Sequence, residues 1–152
     1  MALLSRVFNR IGDVLHKPRE SKLLSQRYQL KEQKRRKLSR KTGLKKNFDA
    51  EHIVLKRHLI RLFNNGQNSI EQNQQIEELC LNLLSSSAAE VMGHKAIARK
   101  AVQKHQDVET NLALIKLASL RLEMVENDSE ISRIDADIRE IDTSLSRLRK
   151  VS

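Results

Sequence analysis

The side chains best suited to chemistry are few. Five histidines (His16, His52, His58, His94 and His105), Cys80 and nineteen carboxylates are the stock of metal ligands and acid–base groups. No two histidines have the HExxH spacing that sets two ligands and a general base on one helical face, and a single cysteine cannot build a structural zinc site. His105 falls on an apolar stripe, where a packed histidine is expected. Asp135 and Asp137 flank one apolar seam instead of forming an acid–base couple. Neither GxGxxG nor GxxxxGK[ST] occurs, so no phosphate-cradling loop is expected. No cofactor, metal or catalytic set is foreseen, and the chain reads as non-enzymatic. Ser39 follows Arg35 and Arg36 by four and three residues, a spacing that suits basic-directed kinases, and phosphate there would lower the local positive charge. Asn127-Asp128-Ser129 is a glycosylation sequon, though nothing routes the chain through secretion.

The elements that position these residues should be helices. Four glycines and one proline in 152 residues are too few for a sandwich or barrel, which turns about every 8–12 residues. Three phenylalanines, one tyrosine and no tryptophan leave Leu/Ile seams as the source of a core. The apolar runs are shorter than the roughly 18–20 residues that span a bilayer. The N-terminus lacks the continuous apolar stretch of a secretory signal. An intracellular location is expected, cytoplasmic or peripheral to a membrane.

Charge is divided unevenly. Residues 1–64 hold 18 basic and 5 acidic side chains, a net of +13, and residues 65–152 hold 11 and 14, a net of −3. The densest stretch, Arg19–Lys46, has 12 basic and 2 acidic residues. Such a block repels itself unless an anionic surface screens it, whether phosphate backbone, lipid or acidic protein. Arg19, Lys22, Arg27, Lys34, Arg35, Arg36, Lys37, Arg40, Lys41, Lys45 and Lys46 are its candidate anion-binding residues.

Residues 1–17 are amphipathic, with Leu3, Leu4, Val7, Phe8, Ile11, Val14 and Leu15 at helical spacing. This helix can pack on the body of the protein, lie in a membrane interface, or act as a mitochondrial presequence, although Asp13 weakens the last. In the interfacial reading Leu4, Phe8 and Ile11 insert. Pro18 is expected to end it. Residues 19–42 read as a helix without a continuous apolar stripe, exposed or folded on a partner. Lys34-Arg35-Arg36-Lys37 also resembles a nuclear-localisation or nucleic-acid patch.

Gly43 is expected to break the chain. A second helix should follow from Asn47, with an apolar face of Phe48, Ile53, Val54, Leu59, Ile60, Leu62 and Phe63, ending at Asn64-Asn65-Gly66. Ser69 with Gln72 forms a capping box for a helix burying Ile76, Leu79, Cys80, Leu83 and Leu84. Ser87 with Glu90 is another. From Ala88 one helix is expected to about Lys150, interrupted or not near Asn127. It carries two stripes on opposite faces: Ala98, Ala101, His105, Val108, Leu112, Ile115 and Leu122, then Leu117, Leu120, Met124, Asn127, Ile131, Ile134, Ile138, Ile141, Leu145 and Leu148. Their overlap makes Leu112–Val125 apolar on all sides and the expected centre of the fold.

The second stripe is a heptad seam. Its flanks carry Lys116, Glu123, Glu130 and Asp137 on one side, and Arg121, Asp128, Asp135 and Asp142 on the other. Parallel and antiparallel self-pairing both set acid against acid over residues 123–142. The seam therefore calls for a helix with basic flanks, either this chain's own basic half or another protein. Asn127 in the seam would fix register, or else mark the start of a separate C-terminal helix.

In layout the chain resembles the ESCRT-III and phage-shock type of membrane-remodelling proteins. The features that carry this are the amphipathic start Met1–Lys17, the basic segment Arg19–Lys46 and the acidic long-helix remainder. Leu117–Val125, reading LASLRLEMV, looks like a helical segment of archaeal members. Gly43 and Gly66 depart from the continuous hairpin of that family. Small coiled-coil components of bacterial secretion machines are similar in size and composition.

The expectation is an all-α protein, a helical hairpin or bundle with a long C-terminal coiled-coil helix at 112–150, in a bundle over 47–152. Its expected role is assembly or adaptor work, with a helical partner on the seam and an anionic membrane at residues 1–46. The rival readings are a nucleic-acid or ribonucleoprotein component and a secretion-type chaperone or stalk protein. Homo-oligomers are compatible with each.

Overall fold

A computed structural model describes the backbone of residues 2–151 and the side chains of residues 18–150. The protein is all-α, with helices α1 (Ala2–Asn64), α2 (Ile70–Leu83), α3 (Ala88–Gln103) and α4 (Val108–Val151). It divides into two compact units. The first joins Met1–Ser39 to Ser129–Ser152, and the second is Arg40–Asp128.

The second unit holds the main core. Phe48, Leu55 and Leu59 of α1 cluster with Cys80 and Leu83 of α2, Val91 of α3, and Leu117 and Ala118 of α4, all almost fully buried. Full burial of a Leu or Phe side chain is worth about 1.5–3 kcal/mol. The local signals that set α2 are those of its sequence. Ser69 accepts from the Gln72 amide while the Gln72 side chain accepts from the Ser69 amide, the reciprocal capping box. Ser87 likewise accepts from the Glu90 amide at the start of α3.

The first unit is a two-helix stem, since only the ends of α1 and α4 lie in it. Among the described residues its buried apolar side chains are Ile134 and Leu145. Leu23, Leu30, Ile131, Ile138, Ile141 and Leu148 are half-buried. Ion pairs set its direction: Glu20 with Arg149, Arg27 with Asp142, Lys34 with Asp135 and Lys37 with Glu130. One partner rises in number as the other falls, so α1 and α4 run antiparallel in this stem.

Four expectations are corrected. Gly43 lies inside α1. A helix-interior glycine costs about 0.5–1 kcal/mol, less than the burial of Leu44 and Phe48 just beyond it returns. The helical backbone also passes through Pro18. Proline deletes one backbone donor and clashes with one carbonyl, which disrupts a turn without forbidding helix on either side. Residues 19–46 are therefore part of one helix shared by the two units.

The third correction concerns the last helix. It is continuous through Asn127 and is instead divided at residues 104–107. His105 (φ 56°) ends α3: its amide donates to the Val102 carbonyl and that of Gln106 to Ala101. This is the Schellman pairing that Gly66 (φ 70°) makes at the end of α1 through Phe63 and Leu62. A histidine in the left-handed position gives no glycine signal to read.

The fourth correction is to the buried faces. Ile53, Val54, Ile60 and Phe63 of α1 are exposed, while Leu55, absent from the expected face, is buried. Leu112 is half exposed, so the apolar overlap at Leu112–Val125 is not enclosed on every side.

Candidate functional site

The basic stretch of α1 divides into paired and unpaired cations. Arg27, Lys34 and Lys37 meet Asp142, Asp135 and Glu130 in the first unit, the first two at 2.6 and 2.7 Å. Lys41 lies 3.3 Å from Asp128 in the second. Arg35 donates to Glu32 at 3.0 Å, and Lys45 to Asp49 at 2.9 Å. The Glu32 hydrogen bond, and then its charge, hold the Arg35 guanidinium above its ordinary pKa. Arg19, Lys22, Lys31 and Arg36 in the first unit, and Arg40 and Lys46 in the second, are exposed and pair with no carboxylate among the described residues.

This division explains why no apolar stripe was legible over 19–42. The half-buried positions of α1 in the first unit include Leu23, Arg27, Leu30, Lys34 and Lys37, at alternating steps of four and three. That is a heptad contact line in which three positions are cationic. Arginine and lysine can lay an aliphatic stem against a neighbouring helix while the charged head reaches a carboxylate at the rim. The signal was present as two series of spacing seven: 27, 34 and 41 are basic, and 128, 135 and 142 are acidic.

The proposed seam of α4 lies along its inner side. Leu117 and Asn127 are buried and Leu120 and Met124 partly so in the second unit. Ile131, Ile134, Ile138, Ile141, Leu145 and Leu148 are buried or half-buried in the first. α1 of the same chain faces the seam within each unit, as the ion pairs along it record. Lys116 pairs with Glu51 at 2.9 Å, and His58 Nδ1 lies 3.1 Å from Glu109. Arg121 reaches the Ser86 carbonyl at 3.5 Å, at the α2–α3 turn.

Two titratable groups are perturbed in the second unit. Burial, and then the charge of Lys56, lower the His52 imidazole below its ordinary value, against the opposing pull of Glu77 and Asp49. Its Nε2 is buried without a hydrogen-bond partner. Burial, and secondarily Glu77, push the Cys80 thiol up to about 11, which keeps it protonated and unreactive at neutral pH. The side chains of Leu4, Phe8 and Ile11, expected to insert into a membrane, lie outside those the structure describes. Lys31, Arg57 and Arg61 are exposed cations that the sequence reading did not single out.

Among the described residues no three His, Cys, Asp or Glu side chains converge as a metal site. No described helix is long and apolar enough to cross a membrane. No protein-family model matches the chain, and comparisons with curated proteins and with solved structures find no match.

Proposed function

We propose that this is a non-enzymatic assembly protein that attaches to an anionic membrane surface through the unpaired cations of α1. The observation that carries the reading is the division of the basic stretch. Six of its twelve cations meet a carboxylate, while Arg19, Lys22, Lys31, Arg36, Arg40 and Lys46 face solvent with none among the described residues. A cation already paired gains little from an external anion, whereas an unpaired one near an anionic leaflet contributes about 1 kcal/mol. The amphipathic residues 1–17 add apolar contact through Leu4, Phe8 and Ile11, because interfacial binding strength grows with buried apolar area and with attraction to anionic lipid. Pairing with α1 occupies Asp128, Glu130, Asp135 and Asp142 of α4, while the unpaired cations of α1 stay open to an external anion.

Flotation on vesicles with and without anionic lipid tests this. The protein should rise with anionic vesicles, stay down with zwitterionic ones, and lose most of its binding on Phe8→Asp. Binding to duplex nucleic acid with a steep salt dependence, and none to vesicles, would transfer the cations to a phosphate backbone instead.

A further inference from the structure

The second unit carries an exposed apolar face bordered by arginines, and the first a mixed groove of half-buried apolar and polar side chains bordered by carboxylates. In the second unit α1 exposes Ile53, Val54 and Ile60 by 50, 52 and 58%. Val54, Arg57, Ile60 and Arg61 line a shallow depression there. Neither arginine pairs with a carboxylate among the described residues. In the first unit Leu23, Leu30 and Ile141 are half-buried in a groove that also carries Asp137 and Glu140. These are the two described carboxylates of that unit without a cationic partner.

We infer that the Ile53–Arg61 face of one copy docks in the Leu23–Ile141 groove of a second copy. The apolar ridge covers Leu23, Leu30 and Ile141 between the glutamines of the groove, and Arg57 and Arg61 meet Asp137 and Glu140. The spacing permits both ion pairs together. Residues four apart rise about 6 Å along a helix and residues three apart about 4.5 Å, within the reach of a long guanidinium side chain. Complementary charge beside exposed apolar surface favours this pairing and opposes face against face or groove against groove. The two halves of the contact are different surfaces, so each bound copy still presents one of each. An acidic helix of another protein would satisfy the arginine face but leave the acidic groove without a counterpart. This contact deepens the assembly half of the function proposed above. It is measured without lipid, so its failure and the failure of membrane attachment are separate results.

Sedimentation velocity of the full chain at low salt, over a concentration series, reads the contact. The mass should rise above that of a single chain as concentration increases. Arg57→Glu/Arg61→Glu should be monomeric, and so should Asp137→Lys/Glu140→Lys. An equimolar mixture of the two variants should associate again, because each then meets a face of opposite sign. A wild-type chain that stays monomeric overturns the inference. So does either variant associating like wild type, or a mixture that remains monomeric. Helical circular dichroism checks the fold of each variant. If a reversed-charge variant loses helix, Arg57→Gln/Arg61→Gln takes its place and should weaken association at least tenfold; unchanged association rejects the contact.

Discussion

Arg27 Nε donates to Asp142 Oδ1 across 2.6 Å, joining α1 to α4 in the first unit. Seven residues further along each helix, in opposite directions, Lys34 meets Asp135 at 2.7 Å. The stem is thus aligned by charges one heptad apart, with few buried apolar side chains behind them. Both partners of the Arg27 pair retain exposure, 32% and 47%, so its worth is that of a screened pair, about 0.2–1 kcal/mol. Its larger effect is on register, since a slip of three or four residues would set Asp142 beside Leu30 or Leu23 in place of Arg27.

Reversing the pair tests that role. Arg27→Asp and Asp142→Arg should each destabilise the stem, and together should recover most of the loss. A double-mutant cycle in urea should give a favourable coupling of about 0.2–1 kcal/mol. The coupling should shrink in 1 M salt, where the Debye length is about 3 Å. Zero coupling at low salt would remove the pair from the account of alignment.

Burial ranks the positions of the seam. Leu117 has no exposed surface, so Leu117→Ala should cost about 2–5 kcal/mol by leaving a cavity among packed neighbours. Ile138 is half-buried, and Ile138→Ala should cost clearly less. Urea unfolding of both variants measures the difference. Equal losses would contradict the contrast between the two positions.

The glycines differ in backbone conformation. At Gly43, inside α1, an added Cβ meets nothing within 4 Å. Gly43→Ala should therefore stabilise by about 0.5–1 kcal/mol through helix propensity. Gly66 has φ 70°, where an L side chain crowds its own carbonyl. Gly66→Ala should destabilise by about 1–2 kcal/mol, although its Cβ also meets open space. Thermal unfolding should show shifts of opposite sign.

His52 gives stability a pH dependence with a determined sign. Its folded pKa lies below the ordinary 6.5. Between those two values the unfolded chain binds more protons than the folded one. The contribution of His52 is fully present above about pH 6.5 and is lost as pH falls through the folded value. His52→Gln should flatten the part of the stability profile between pH 7.5 and 5.5 that this side chain causes. An unchanged profile would assign the slope to other groups.

Fold class was legible because the compositional limits, capping boxes and Leu/Ile seam all favour helices. Gly66 was legible because glycine commonly takes the left-handed position that ends a helix. The same motif was hidden at His105, since nothing in the residue type marks it. Gly43 reads as a break on local propensity alone, which the burial of Leu44 and Phe48 beside it outweighs. Apolar periodicity alone does not say which of two faces of α1 meets the core, so it does not separate the exposed Ile53, Val54 and Ile60 from the buried Leu55. The basic segment hides its contact line for the converse reason: Arg27, Lys34 and Lys37 occupy contact positions that apolar periodicity does not mark. Asn127 is buried within an uninterrupted helix, which the sequence left open between a register position and a cap.

The central claim is that unpaired cations, and not net charge, attach this protein to an anionic surface. Vesicle flotation of two variants with equal charge loss tests it most directly. Arg36→Gln/Arg40→Gln/Lys46→Gln removes three unpaired cations, while Lys34→Gln/Lys37→Gln/Lys41→Gln removes three that meet Asp135, Glu130 and Asp128. With helical content verified for both, the first variant should bind anionic vesicles roughly a hundredfold more weakly, at about 1 kcal/mol for each cation. The second should stay within a few-fold of wild type. Equal losses in the two variants, or no loss in the first, would contradict the account.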